Sequence, residues 1–453
     1  MNIILLSGGS GKRLWPLSNN IRSKQFVRVL RKTDFRDIEI TEDSCYESMV
    51  QRVYRQIKDV DNHADVTIAT SKAQVSSIRN QLGEDVGISV EPCRRDTFAA
   101  IALATAYLHD VKCIDSEDAV IVCPVDPYVE NEYFDCLKKL HDAALNGSHN
   151  LMLMGIKPTY PSEKYGYICP QTSDGGIVYS FKEKPDEMMA KKYIEEGALW
   201  NGGVFGYKLS YVLDKAREIL GSSEYDTLIK NYSSFRKISF DYAVVEEEKS
   251  IGVIVYKGEW KDLGTWNTLT EAMDDPIIGE AVLNESCDNV HVINELGIPI
   301  LGMGLRDMVI AASSEGILVS DKEQSSYIKP LVEKIDQPVK YAEKSWGSYR
   351  VIDVRDESMT VVVTLNPGHG MNYHSHDKRD EIWNIVRGGG RTIVDGMEQY
   401  VKPGDVITMA AGCKHTIVAD NEGLQLIEIQ LGEEIAVSDK RKHELPTGLV
   451  GGL

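Results

Sequence analysis

The sequence predicts an α/β domain with a mostly parallel sheet, then a short β-rich linker domain, then a small antiparallel barrel or jelly roll. Three observations carry this. Through about residue 275, short apolar runs alternate with stretches of helical periodicity, as when strands are joined by crossover helices. At residues 274–276 that alternation stops, and short β-like runs (VHVI, IPIL, MVIAA, GILVS) follow, separated by Gly, Asp and Ser. From about residue 345 the chain is nearly all short strands with Gly and Asp turns, which suits a jelly roll. The expected domains are residues 1–275, 276–340 and 341–437, with a polar tail at 438–453.

Within the first domain, residues 2–6 (NIILL) read as a buried strand stopped by Gly8 and Gly9. Ser44 with Glu47 reads as a capping box, after which Tyr46, Met49, Val50, Val53, Tyr54 and Ile57 fall on one helical face. Residues 66–69 and 119–123 (AVIVC) are further strands, and the Ala-rich residues 97–108 a compact helix.

The 453 residues include 50 Lys and Arg against 69 Asp and Glu, a net charge of −19 that argues against a general nucleic-acid surface. It leaves room for a local basic pocket. No run of about 18 apolar residues suggests a membrane span. The opening places its basic residues after a short apolar run, the reverse of a secretory signal. Eight scattered cysteines with no CxxC pair read as reduced thiols in the cytoplasm.

The stretch LSGGSGKRLWPLS (residues 6–18) follows the first strand directly. Its glycines let backbone N–H groups form a concave anion nest, and Lys12 and Arg13 add full charges. Lys24, in RSKQF, is a further cation. Asp126 follows AVIVC at what would be the carboxyl edge of the sheet, placed to hold a divalent cation against a nucleotide. Asp262, in KDLGTW beside Gly264, offers a second carboxylate. Taken singly, the glycines could be a tight turn and each Asp a helix cap. The loop is neither GxxxxGK[ST] nor a good GxGxxG.

Together, GGSGKRLWPLS, SKQF, EPCRRDTFAAIALA, CPVDPYV, EKYGYI, FKEKPD, WNGGVF, FDYAVVE and WKDLGTW resemble the sugar-1-phosphate nucleotidylyltransferases, above all the mannose-1-phosphate guanylyltransferase branch. The resemblance spans about 265 residues and implies a Rossmann-like nucleotidyltransferase domain. It implies that Leu6, Gly8, Gly9, Gly11, Lys12 and Arg13 wrap a nucleoside triphosphate, with Glu91, Arg95, Asp96 and Thr97 in the nucleotide pocket. It implies that Lys24 contacts phosphate and that Asp126 and Asp262 hold Mg²⁺. On the sugar side it implies Tyr165, Gly166, Glu183, Lys184, Asn201 and Gly202. The implied reaction is attack of mannose-1-phosphate on the α-phosphorus of GTP, releasing pyrophosphate with no protein nucleophile. Departures fall at Lys12 (usually Thr), Ser23 (usually Pro), and Arg94, Asp96 and Phe98 in the nucleotide segment, which leave the base preference open.

The C-terminal part reads G-x5-His374-Ser-His376-x4-Glu381-x6-Gly388, then Gly404-x5-Ala410-Ala-Gly412-x2-His415. Two His at i, i+2 on a strand share a face, and three imidazoles with a carboxylate suit Zn²⁺, Mn²⁺, Fe²⁺ or Ni²⁺. This set matches the two cupin motifs, with Ala410 and Ala419 as departures. Residues 345–347, RDEIW and IEIQLG resemble the cupin mannose-6-phosphate isomerase of bifunctional guanylyltransferases. The run lacks that domain's Gln, carries two extra residues and has Ile382 in place of a His. An active isomerase and a structural, dimer-forming cupin both stay open.

Other readings are the same reaction with another hexose phosphate or nucleotide, a non-catalytic nucleotide-sugar sensor, and an isomerase with a scaffold attached. A homodimer, with no nucleic-acid or membrane partner, completes the expectation.

Overall fold

The computed structural model describes residues 1–9, 12–32, 45–172 and 175–445. It divides into two compact units. One comprises Met1–Ser10, Gln25–Val75 and Gln81–Asp275; the other comprises Gly11–Lys24, Ser76–Asn80 and Pro276–Leu453.

The first unit is built on a nine-stranded sheet. Its strands are β1 (Asn2–Ser7), β2 (Asp65–Ser71), β3 (Gly87–Glu91), β4 (Ala119–Pro124), β5 (Leu151–Ile156), β6 (Gly166–Thr172), β7 (Gly175–Lys182), β8 (Leu199–Lys208) and β9 (Ile251–Tyr256). Their spatial order is β3-β2-β1-β4-β8-β5-β9-β7-β6. The β3-β2-β1-β4 half is parallel throughout. Its strands are near-continuous apolar runs because both faces are covered. The other half departs from the mostly parallel expectation. There β8 runs antiparallel to β4, β5 and β6, while β5 and β9 pair in parallel. The sheet as a whole is therefore mixed.

Helix α1 (Met49–Val60) begins one turn later than the sequence reading placed it. Ser48 is the N-cap, and Ser48 and Gln51 form the reciprocal capping box. Glu47 instead sits in the short strand Tyr46–Glu47 and pairs with Arg55, and Ser44 lies outside the described residues. Helix α2 (Asp96–Asp110) is buried nearly all round, which its alanines permit by allowing close approach on every face. Phe98 at its start packs on Phe240, which also meets Phe205 and Tyr207, in the same core as β4 and β5.

In the second unit, Ile277–Ile278, His291–Asn294 and Met308–Ser313 stack as parallel rungs, as do Ala281–Leu283 and Ile300–Gly302. This is a short β-helix-like coil. Residues 12–24 are fastened to it. Asn19 donates to Glu315 Oε1 and Tyr341 O, both at 2.9 Å, Arg22 pairs with Glu295 at 2.9 Å, and the Ser313 hydroxyl donates to Pro16 O at 2.7 Å.

A second nine-stranded sheet curls into a jelly roll: β10 (Tyr341–Lys344), β11 (Gly347–Arg355), β12 (Ser358–Leu365), β13 (His374–His376), β14 (Asp380–Val394), β15 (Met397–Val401), β16 (Val406–Met409), β17 (His415–Leu431) and β18 (Lys440–Lys442). The long β17 pairs with β12, β13 and β14. Its interior holds Trp383, Ile385, Ile417 and Leu426, all essentially inaccessible. The expected tail from residue 438 is corrected in part: β18 pairs with β13, because the extended 440–442 segment completes the edge beside the histidines. Residues 446–453 lie outside the described residues.

Candidate active site and candidate metal centre

In the first unit the carboxyl ends of β1 and β4 meet. Val125 N donates to Leu6 O at 3.3 Å, which sets Asp126 beside the glycine turn. Gly9 has φ +123, and a Cβ at Gly8 or Gly9 would meet nothing within 4 Å, so their backbone faces open space. Ser7 anchors the end of β1 through Gln25 and Gln74 at 3.0 and 3.3 Å. Arg94 donates to Gly9 O at 2.9 Å and so braces the turn from the EPCRRD segment.

Asp262 reaches the same place from far along the chain. Trp260–Asp262 runs antiparallel to Pro127–Val129, with Asp262 opposite Pro127, one residue from Asp126. A Cβ at Gly264 would lie 3.2 Å from both Asp262 carboxylate oxygens, so glycine leaves them a cradle. Two acids at one strand end beside that cradle fit a divalent cation.

The residues expected on the sugar side form a second cluster in this unit. The Tyr165 ring packs on Trp200 and Trp260 with centroids 5.0 and 5.4 Å away. Burial and then the Asp262 charge hold its phenol protonated. A Cβ at Gly166 would come within 2.5 Å of Glu183 Oε2 and 2.8 Å of Phe181 Cζ, so only glycine admits that carboxylate. The Glu183 side chain is 4% exposed; Oε1 takes Lys184, while Oε2 is buried without a hydrogen-bond partner. Asn201 is already engaged: Nδ2 donates to Asp241 at 2.7 Å and Oδ1 accepts from Gly203 N at 3.0 Å. Burial, and then the Glu183 charge, push the Asp241 carboxyl up to about 6. Gly202 is limited by Ile156, which a Cβ would meet at 2.5 Å.

The nucleotide-segment residues are also engaged. Glu91 accepts from the Tyr232 hydroxyl at 3.0 Å, and Arg95 donates to Ser233 O. The Asp96 side chain accepts from Thr97 N at 2.8 Å, and the Thr97 hydroxyl accepts from Phe240 N at 2.8 Å. Lys12 and Arg13 form a 3-10 turn and Lys24 opens another, in residues 12–24, which group with the second unit. Gly11 lies outside the described residues. Asp241 is absent from the expected site residues, and Arg94 enters there only as a departure from the family pattern. Both sit inside quoted segments, EPCRRD and FDYAVVE, and that was the available signal.

The barrel brings all four expected ligands together. His374, His376, Glu381 and His415 are each 2–3% exposed, with ligand atoms within 4.8 Å of one another. The register explains it: His374 lies across from His415, and His376 shares its face two residues on. His374 Nδ1 lies 2.6 Å from Asn372 O and His415 Nδ1 3.0 Å from Cys413 O, contacts that put the proton on Nδ1 and leave Nε2 to ligate. Burial lowers His374 to about 2 and His376 to about 4, so both imidazoles are neutral, as ligation requires. His415 Nε2 and Glu381 Oε2 are both buried without a hydrogen-bond partner and stand 3.2 Å apart. Neighbouring ligands about 2.1 Å from one ion stand roughly 3.0–3.4 Å apart, so two unprotonated acceptors at this spacing fit a divalent metal between them.

The comparisons with known proteins agree. Residues 2–277 match the nucleotidyl transferase family, and residues 333–444 match the mannose-6-phosphate isomerase C-terminal family. A mannose-1-phosphate guanylyltransferase of Salmonella montevideo is 26% identical, over 96% of this chain and 97% of its own. A putative mannose-1-phosphate guanylyltransferase of Vibrio cholerae serotype O1 is 27% identical, over 97% of this chain and 99% of its own. A solved structure of a protein named mannose-1-phosphate geranyltransferase from Thermus thermophilus superposes with a TM-score of 0.58 at 24% identity, covering 74% of this chain and 98% of that one; it attests the fold. Among the described residues no helix is long and apolar enough to cross a membrane. With a family match over residues 2–277, more than half of its length, the chain belongs to the nucleotidyl transferase family.

Proposed function

We propose that this chain is a mannose-1-phosphate guanylyltransferase, forming GDP-mannose and pyrophosphate from GTP and mannose-1-phosphate. The observation that carries the reading is the ladder of Trp260–Asp262 on Pro127–Val129, which sets Asp262 beside Asp126 at the strand end next to the glycine turn. In this reading residues 1–275 are the transferase domain, 276–340 the linker and 341–437 the cupin. Leu6, Gly8, Gly9, Gly11, Lys12 and Arg13 wrap the triphosphate, Lys24 contacts phosphate, and Glu91, Arg95, Asp96 and Thr97 shape the base pocket. Asp126 and Asp262 hold Mg²⁺, which when bound neutralises phosphate charge. Tyr165, Gly166, Lys184 and Gly202 shape the sugar pocket, Asn201 braces it, and Glu183 Oε2 accepts from a sugar hydroxyl. The phosphate oxygen of mannose-1-phosphate attacks the α-phosphorus in line and the bond to pyrophosphate breaks. The nucleophile is already an anion, so positioning and charge neutralisation supply the rate.

The test offers the purified protein, with Mg²⁺, each of the four ribonucleoside triphosphates and several hexose-1-phosphates, reading pyrophosphate release. Turnover concentrated on GTP with mannose-1-phosphate is expected; none with that pair overturns the reading.

A second activity, metal-dependent interconversion of mannose-6-phosphate and fructose-6-phosphate in the barrel, is favoured by one observation. Lys440 lies across from His376, and the buried Glu428 carboxyl is raised by desolvation and by the Glu381 charge, giving it the character of a proton carrier. Zn²⁺, Mn²⁺, Fe²⁺ or Ni²⁺ suits the cluster. No interconversion with these metals supplied leaves the barrel a structural module. Eight free thiols fit a cytoplasmic protein, and the expected homodimer is checked by light scattering.

A further inference from the structure

The metal cluster already contains a cation of its own. Arg379, buried just before β14, donates from Nε to Glu381 Oε1 at 3.0 Å and from Nη1 to Ala436 O at 3.2 Å. Its Nη2 stands 3.0 Å from His376 Nε2. A guanidinium has donors only, so His376 Nε2 is the acceptor there, and its lone pair is the one a metal would need. His376 Nδ1 points away from any hydrogen-bond partner, 4.0 Å from Asp439 Oδ2.

The other two imidazoles differ. His374 and His415 each have a backbone carbonyl on Nδ1, and His415 Nε2 faces Glu381 Oε2 with no donor between them. Glu381 Oε1 accepts from the same guanidinium and lies 3.2 Å from His376 Nε2, but Glu381 keeps Oε2 for an ion, whereas the ligating nitrogen of His376 is itself bonded to Arg379. Like charge sharpens the conflict, because a divalent ion seated against these atoms would stand close to a buried guanidinium in a poorly screened interior.

We propose that Arg379 competes with the metal for His376, so that the ion is held first by His374, Glu381 and His415 and gains His376 only when the guanidinium withdraws. This rests on reading the cluster as a metal centre. It assigns Arg379 a role opposite to that of an ordinary supporting residue, whose removal weakens binding.

The experiment titrates Co²⁺ alone into the full-length, metal-stripped protein and follows its visible absorption, with a thermal melt of every variant to establish folding. Arg379→Gln is expected to bind Co²⁺ about tenfold more tightly than the unaltered chain, and Arg379→Lys, which keeps the charge without the fork, to fall between. In the unaltered chain His376→Ala costs about threefold or less, whereas His415→Ala costs about thirtyfold or more. Combined with Arg379→Gln, the His376→Ala loss rises to about tenfold or more, a coupling that independent ligands would not show. Equal or weaker binding by a folded Arg379→Gln protein overturns the proposal, as does a His376→Ala loss equal to that of His415→Ala. No Co²⁺ uptake by any of the proteins defeats the metal reading and the inference together. Uptake by the unaltered chain without a gain in Arg379→Gln defeats the inference alone.

Discussion

The two candidate sites handle charge in opposite ways. At the strand ends of the first unit, Asp126 and Asp262 stand beside glycines whose backbone faces open space. In the barrel, four ligands are buried to 2–3% exposure, with a carboxylate oxygen and an imidazole nitrogen facing each other unpaired. Asp126 and Asp262 are each half-buried, and in the reading proposed above their cation arrives with the substrate. A sealed set of acceptors has no water to fall back on and is stable only with a resident cation, metal or guanidinium. On the proposed reading, the first site works on a visiting metal–nucleotide complex and the second keeps its ion.

The largest effect should come from removing the visiting cation's seat. Asp126→Asn and Asp262→Asn each leave a neutral amide where phosphate charge must be balanced, and each is expected to slow pyrophosphate release about a thousandfold. Metal content of the barrel should not change. Retention of near-normal turnover in both variants would erase the contrast from its first side.

Next in size is the resident site. Glu381→Gln keeps the shape but removes the only carboxylate among the four ligands, and is expected to lower Co²⁺ or Zn²⁺ affinity about a hundredfold. Turnover of the first unit should stay within about twofold. Metal analysis after exhaustive dialysis reads it directly: equal metal in Glu381→Gln and the unaltered chain would show that the cluster does not hold the ion.

A third change sharpens the comparison inside the first unit. Gly166→Ala drives a methyl against Glu183 Oε2 and Phe181. It should raise KM for the sugar phosphate about tenfold while KM for the nucleotide holds, because the displaced Glu183 oxygen is the acceptor proposed for a sugar hydroxyl. Equal increases in both constants would mean that Gly166 serves the fold of the whole cleft.

How much of this was legible in the sequence differs between the two sites for a physical reason. The barrel ligands follow local rules, since His374 and His376 share a face by strand periodicity alone and bracketing glycines mark the turns. The strand end at Pro124 and helix α2 were likewise readable from AVIVC and the alanine run. The pairing of Asp262 with the chain beside Asp126 joins residues more than a hundred apart, and no local pattern encodes it; the resemblance of whole segments supplied it. Arg379 opens the quoted RDEIW segment, but nothing local says that its guanidinium reaches both Glu381 and His376. Asn201 is expected on the sugar side from its motif, and no local pattern announces that its amide also bridges Asp241 and the Gly203 turn. The cap of α1 falls at Ser48, four residues past the expected Ser44, because two Ser-x-x-Glu/Gln patterns follow one another directly and local sequence does not choose between them.

The smallest expected effect separates the two kinds of buried acid. Asp241 has its carboxyl raised to about 6 by desolvation first and by the neighbouring Glu183 charge second, against Asn201 and Lys184, which favour the charged form. A raised acid holds its proton more tightly folded than unfolded. Its contribution is therefore fully present below about pH 4 and is lost as pH rises through about 6. Replacing it with Asn, which still offers Asn201 an acceptor, should stabilise the first unit by about 1–2 kcal/mol at pH 7 after allowing for solvent screening, and by little at pH 4. Denaturant melts of Asp241→Asn and the unaltered chain at the two pH values measure this. A gain of the same size at both would mean that Asp241 is destabilising for reasons of packing. Unlike the barrel acid Glu381, which a cation must always accompany, Asp241 can meet burial by keeping its proton.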